Sequence, residues 1–197
     1  MPTEIKPEIV VFAGPNGSGK STFIRFAIVK GIYINADDIK KSTNCDDMTA
    51  AKQAEALRER LLAEGQTFTF ETVLSTPRNL ELLARAKAQG YFVRGYFIFT
   101  RNCAINLTRV LSRAQSGGHD VPADKIAARY QRSLAQLPRL VEICDICHVY
   151  DNSQQPERIF KKRKREYFFF PSQIWPKAKI EEFVGVRDSE TEIETQP

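Results

Sequence analysis

Residues 9–22 read IVVFAGPNGSGKST, and no other stretch limits the chain's folding choices as strongly. A short apolar run that stops at glycine suits a central strand of a parallel sheet, buried on both faces. Gly14 to Ser21 then satisfies G-x-x-x-x-G-K-[ST] without a mismatch, and residues with helical spacing follow from Lys20 to Lys30. Glycines let a backbone wrap a phosphate with its N–H groups pointing inward, and a helix N-terminus adds a positive dipole end. The residues expected to hold a nucleotide are therefore Gly14, Pro15, Asn16, Gly17, Ser18, Gly19, Lys20, Ser21 and Thr22. Lys20 would reach the β- and γ-phosphates and Ser21 would ligate Mg²⁺. The motif specifies phosphates; it does not specify a reaction.

Further strands are expected over Ile32–Asn35, Thr67–Thr72, Tyr91–Thr100 and Ile143–Tyr150. Helical patterns separate them. One runs from Thr49 to Glu64 and stops at Gly65. Another is capped by Thr76 with Pro77 at its first position. A third opens at Asn102 or Cys103, and a fourth runs from Pro122 to Leu137 and stops before Pro138. This alternation predicts the α/β class: a three-layer sandwich with a mostly parallel, five-stranded sheet and a helical lid. A chain of 197 residues is long enough for one well-buried domain. It is read as a single domain over 1–187, with a core at 8–152 and an extension at 153–187. The extension's Ile159-Phe160 and Tyr167–Pro171 read as edge strands or docking segments. Residues 188–197 are expected to be disordered.

The formal net charge is +5, yet the last ten residues carry four acids and no base, so the preceding part is +9. A basic body suits a polyanionic ligand, whether nucleotide phosphate or nucleic acid. No apolar run approaches the roughly 18–20 residues of a spanning helix, and the N-terminus does not read as a signal peptide. A cytoplasmic location without membrane contact is therefore expected. Four cysteines then read as reduced thiols, and Cys144-Asp-Ile-Cys147-His148 reads as a strand with small buried thiols, not as a haem attachment site.

Three classes of nucleotide user compete. An ATPase needs an apolar strand ending in Asp, but FTFET ends in Glu-Thr and FIFT has no acid. A GTPase would carry N-K-x-D, which is missing. Gln115–His119 looks like the S-G-G-Q core of the ABC-transporter signature, but a helical pattern follows it where the acidic strand should be. A kinase needs a carboxylate near the acceptor hydroxyl and cations on the transferring phosphoryl group. Asn35-Ala36-Asp37-Asp38 lies at the carboxyl end of the second strand, the edge that faces ligands in an open α/β sheet. Asp37 is the leading catalytic carboxylate; the alternative is that Asp37 or Asp38 caps the next helix. Arg109 and Arg113 share one helix face, as do Lys125, Arg129 and Arg132 on the next helix. Gly117-Gly118 joins the two as the hinge of a lid. The competing reading makes these residues solvated basic faces.

GPNGSGKST, NADDI, FETVLS and the R-x₃-R…GGHDVP…RY helix pair together resemble the zeta-toxin family of P-loop kinases, compact chromosomal members especially, across about residues 8–152. The resemblance implies phosphorylation by ATP and Mg²⁺ of the 3′-hydroxyl of UDP-N-acetylglucosamine, and an antitoxin partner. It places the catalytic aspartate at Asp37 and substrate-binding acids at Glu55 and Glu71, with Thr72 beside them on the substrate; Asp38, adjacent to Asp37, is also read as a substrate-binding residue. It places the first lid arginine at Arg113. The second falls on His119, with Arg129 one helix further as a replacement.

Lys161-Lys-Arg-Lys-Arg165 beside Tyr167–Phe170 suits either a nucleic-acid patch or a charged edge strand. A 5′-hydroxyl polynucleotide kinase is thus the main enzymatic rival. An ATP-binding regulator without catalysis is the rival that is not an enzyme.

Overall fold

Strand β1 (Glu8–Ala13) is buried along its whole length and lies parallel to both of its neighbours, β3 (Phe68–Thr72) and β4 (Phe92–Phe99). The computed structural model describes residues 6–115 and 123–186. In it β2 (Ile32–Ile34) continues the parallel sheet beyond β3, and β5 (Ile146–Asp151) continues it beyond β4. The five expected parallel strands are all present. β6 (Glu157–Arg163) and β7 (Glu166–Phe169) add an antiparallel hairpin, so the sheet has seven strands in the order β2-β3-β1-β4-β5-β6-β7. The hairpin lacks the Asn-Gly signal that would have announced it. Its two-residue turn places Lys164 at φ 56 instead.

Period-two alternation divides the core. Ile9, Val11, Phe68, Phe70, Val93, Phe97 and Phe99 belong to the larger cluster. There they meet α3 (Asp47–Ala63), α4 (Arg78–Ala88), α7 (Leu137–Ile143) and α8 (Lys177–Val184) through Leu61, Leu83, Leu140 and Ile180. Val10, Phe12 and Ile98 point the other way and pack with Ile24 of α1 (Lys20–Ile24). The remaining helices are α2 (Ala36–Thr43), α5 (Cys103–Gln115) and α6 (Ala123–Ala135).

Three boundaries differ from expectation. α1 stops at Ile24, well short of Lys30, and the amides of Phe26 and Ala27 bond three residues back to Phe23 and Ile24. Aromatic and β-branched residues follow, which are weaker helix formers. Pro77, not Thr76, is the N-cap of α4, and its carbonyl accepts from the Glu81 amide at 3.0 Å. Pro138 does not end the lid helix in open chain; it sits in the first turn of α7, where no N–H is required. Strand β5 consequently starts at Ile146 and not at Ile143. The proposed hinge Gly117-Gly118, His119 and the acidic tail 188–197 lie outside the described residues. Among the described residues, no helix is long and apolar enough to cross a membrane.

The basic segment is partly structural. Lys162 is buried, and its ammonium donates to the carbonyls of Val141 and Glu142, each at 2.7 Å, near the C-terminal end of α7. A cation there satisfies carbonyls that the helix leaves open. At the end of β5, buried Asp151 accepts from the Ser153 amide at 2.8 Å and from the Trp175 indole at 2.8 Å, and pairs with Arg101 at 3.2 Å. Trp175 itself packs against Phe99 and Phe183. Asp151 therefore fastens the C-terminal extension to the sheet. Asp151→Ala should destabilise the fold by about 3 kcal/mol, because it strands several buried donors at once. The smaller change Trp175→Phe should cost about 1–2 kcal/mol, with urea unfolding as the measurement.

Candidate active site

The parallel strands all end at one edge of the sheet, which gathers residues far apart in sequence. In register, Phe12 pairs with Glu71 and Ala13 with Thr72. The phosphate loop thus leaves β1 directly beside the Glu-Thr end of β3, and the Gly14 amide donates to the Thr72 carbonyl at 3.2 Å. The loop is tightly held. Gly14 has φ +139, and a Cβ there would lie 1.9 Å from the Ile98 carbonyl oxygen. At Gly17, φ +74, a Cβ would lie 2.6 Å from the Asn106 carbonyl oxygen. Neither position admits a side chain.

Two asparagines fix the loop from outside. Asn106 of α5 donates its amide to the Asn16 carbonyl and accepts from the Thr100 hydroxyl. Asn152, just beyond β5, donates to the Ser18 carbonyl at 2.7 Å. Neither was identified from sequence: Asn152 reads as a turn residue, and Asn106 acts 90 positions from its partner. The Lys20 ammonium folds back on its own loop, donating to the carbonyls of Gly14 at 2.7 Å and Pro15 at 3.0 Å. Burial lowers its pKa to about 8; Glu71 and Asp37 oppose the shift, and Arg113 adds to it.

Opposite Lys20, Glu71 is held by three donors. The Tyr33 hydroxyl and the Asn35 amide, the latter at 2.8 Å, bond to Oε1; the Ser21 hydroxyl bonds to Oε2 at 3.1 Å. Burial, and then the bond to Glu71, push the Tyr33 hydroxyl pKa up, so it stays a donor. Asn35 also decides the capping question: its side-chain oxygen accepts from the Asp37 amide at 2.9 Å, making Asn35 the N-cap of α2. The Asp37 carboxylate is left to line the cleft. Thr72 Oγ1 accepts from the Leu74 amide at 2.9 Å and the Asn79 side chain at 2.8 Å. Both lone pairs are occupied, so its hydroxyl can offer the cleft only a donor.

These side chains surround a cleft of about 470 Å³. The structure brings Asn16, Gly17, Gly19, Lys20, Ser21, Thr22, Asp37, Glu71, Thr72 and Arg113 to its wall. Gly14, Pro15 and Ser18 are buried beneath the loop. Asp38, Glu55 and Arg129 do not line the cleft. Asp38 is exposed in the first turn of α2, Glu55 pairs with Arg78 at 2.8 Å, and Arg129 is half-buried on α6. Arg109, the partner of Arg113 on α5, donates to the carbonyls of Asn152 at 2.9 Å and Ser153 at 3.1 Å. It anchors α5 to the end of β5, and Arg113 is exposed one turn further on. Arg58, also at the wall, has no motif to announce it.

A phosphate loop at the carboxyl edge of a parallel sheet, with a carboxylate after the second strand and an arginine of α5 in the same cleft, defines a kinase-like nucleotide-binding fold. A family model described as Zeta toxin matches residues 1–165, and the chain belongs to that family. It is 31% identical over 127 residues to an uncharacterized protein of Haemophilus influenzae, a match covering 61% of this chain and 91% of the relative. Its fold is similar to a structure of the PezAT chromosomal toxin-antitoxin system of Streptococcus pneumoniae, with TM-score 0.60, 18% identity, and coverage of 91% of this chain and 85% of that one. It is also similar to AvrRxo1-ORF1:-ORF2 with ATP, with TM-score 0.68, 14% identity, and coverage of 95% and 66%.

Asn106→Ala should leave the Thr100 hydroxyl and the Asn16 carbonyl without their partner. A loss of about 2 kcal/mol in urea unfolding is expected, with a matching loss of protease resistance at the phosphate loop.

Proposed function

We propose that this protein transfers the γ-phosphoryl group of ATP to a hydroxyl of a nucleotide-sugar-like acceptor, with the 3′-hydroxyl of UDP-N-acetylglucosamine as the leading candidate. One observation carries the proposal: a single cleft joins Lys20, Ser21, Asp37, Glu71 and Arg113, which come from four different elements, α1, α2, β3 and α5. Family membership supports the class of reaction.

Lys20 exchanges its two loop carbonyls for phosphate oxygens. Asp37, freed from capping by Asn35, accepts or orients the acceptor proton. Thr72 donates to the acceptor. Arg113 stabilises charge on the transferring group as the lid closes. The adjacent Ser21 hydroxyl and Glu71 carboxylate offer oxygen ligands of the kind Mg²⁺ takes. Among the described residues no group of three or more His, Cys, Asp or Glu side chains could hold a metal, so phosphate and water would complete the shell. Bound Mg²⁺ would neutralise the phosphate charge. Asp38, Glu55 and Arg129 act on the acceptor or the phosphates only if the lid and Arg78 rearrange.

The small acceptor is preferred to a polynucleotide because the basic segment is elsewhere. Lys162, Lys164 and Arg165 line a separate groove with Pro138, Arg139 and Tyr167, and none of Lys161–Arg165 reaches the phosphate cleft. An antitoxin partner belongs to the same proposal, by family membership.

Asp37→Asn should lower transfer by at least about 10³-fold while leaving the Mg·ATP dissociation constant within roughly threefold. Labelled ATP with UDP-sugars, nucleosides and 5′-hydroxyl oligonucleotides is the assay; label found only on oligonucleotides would refute the acceptor. Mg·ATP affinity should also fall as pH rises through about 8, because phosphate binding favours protonated Lys20. Calorimetry from pH 6.5 to 9.5 reads this, and a flat profile would contradict the role given to Lys20.

A further inference from the structure

Arg58 is a buried cation at the cleft wall that the proposed reaction leaves unused. It sits on α3, only 8% exposed, and makes no hydrogen bond or ion pair among the described residues. Its Nε is buried without a partner. Its guanidinium lies over the Phe70 ring, 5.2 Å from the centroid, and it lines the cleft with Ala51, Ala54, Asp37 and Asn79. The acids beside it on the helix are already engaged. Glu55 pairs with Arg78 at 2.8 Å and Glu59 with Arg85 at 2.5 Å, both arginines coming from α4. Burial lowers the Arg58 pKa, Glu55 and Glu59 oppose the shift and Arg78 adds to it; the guanidinium remains charged in any accessible pH range.

Glu55 and Glu59 act on Arg58 only from a distance, and a buried charge without a direct partner is costly unless a ligand supplies one. Ala51 and Ala54 are small, so the wall beside Arg58 leaves space instead of a carboxylate. The planar donor fork of arginine matches the paired oxygens of phosphate or carboxylate. The nucleotide's own phosphates already have Lys20, Arg113 and the loop. We infer that Arg58 binds an oxyanion of the acceptor, making the enzyme selective for acceptors that carry a phosphate or comparable anionic group. This rests on the phosphotransfer reading above and assigns the contact with the acceptor's anionic group to one residue of α3. Arg58 is a binding residue; it need not touch the transferring group.

The test uses the full chain with Mg²⁺ and a non-hydrolysable ATP analogue at saturation, so that the phosphate loop is filled. Wild type, Arg58→Met and Arg58→Lys are titrated by calorimetry with inorganic pyrophosphate, with UDP-N-acetylglucosamine and with uncharged N-acetylglucosamine. Methionine keeps the apolar stem on Phe70 and removes the charge. Wild type should bind an anionic probe, and Arg58→Met should bind it roughly 10- to 100-fold more weakly. Arg58→Lys should fall between them, and N-acetylglucosamine should not distinguish the three. Binding of pyrophosphate as well as the UDP-sugar would mean that the oxyanion alone suffices; binding of the UDP-sugar only would mean that the oxyanion is read as part of the larger acceptor. Either supports the inference. Equal affinity of wild type and Arg58→Met, no binding of either anion by wild type, or weaker binding of the ATP analogue by Arg58→Met would overturn it. Without ligand, Arg58→Met should melt at or above the wild-type temperature, since it removes a buried charge that has no direct partner; a clear drop would make Arg58 a structural residue and also overturn it. Anion binding without transfer of label from ATP would sink the phosphotransfer reading while leaving the Arg58 site standing.

Discussion

The Gly14 backbone passes so close to the Ile98 carbonyl that no side chain fits between them. That contact ties the first turn of the phosphate loop to β4. Asn106 and Asn152 complete the clamp from α5 and from the end of β5. A loop gripped by three elements arrives already shaped, so a phosphate entering it need not order the backbone first. The same clamp transmits position outward. Arg109 binds the carbonyls beside Asn152, so the helix bearing Arg113 is referenced to the same turn that holds Ser18.

Charge around the loop is arranged in opposed sets. Burial weakens the charged form of Lys20, and Glu71 and Asp37 restore part of it. Glu71 keeps its place through Tyr33, Asn35 and Ser21, all of which donate to it. The α3 wall is built differently: Glu55 and Glu59 pair with arginines of α4, and Arg58, stacked on Phe70 at the cleft wall, keeps a buried Nε without a partner. One wall therefore supplies groups suited to phosphate chemistry, and the other supplies a cation in search of a ligand. Holding such groups unpaired opposes stability. The buried sheet and the Asp151 junction supply what offsets it.

The parallel sheet and the phosphate loop were legible because their signals are local. An apolar run ending in glycine, a fixed motif and periodic helices each occupy a few consecutive residues. Where the local signal was ambiguous, the reading slipped. Pro138 looked like a stop and proved to be the first turn of α7. The β6–β7 turn uses Lys164 in a left-handed conformation, which no turn rule would select. The site was half legible. Lys20, Ser21, Asp37 and Arg113 could be named from motif and spacing. Asn106, Asn152 and Arg58 could not, because their partners are brought by the fold from other elements.

The sequence alone determined the order of the five parallel strands, the main helices between them, the phosphate loop, and the candidate acid and cations, since each depends on side-chain chemistry at neighbouring positions. The tertiary structure decided which of those candidates share a cavity. Strand register set Thr72 beside Gly14, and Asn35 took the cap that left Asp37 to line the cleft. Helix packing gave Glu55 to Arg78 and left the buried Nε of Arg58 without a partner. Such assignments depend on which groups are buried together, and burial is a property of the assembled sheet and helices, not of any one segment.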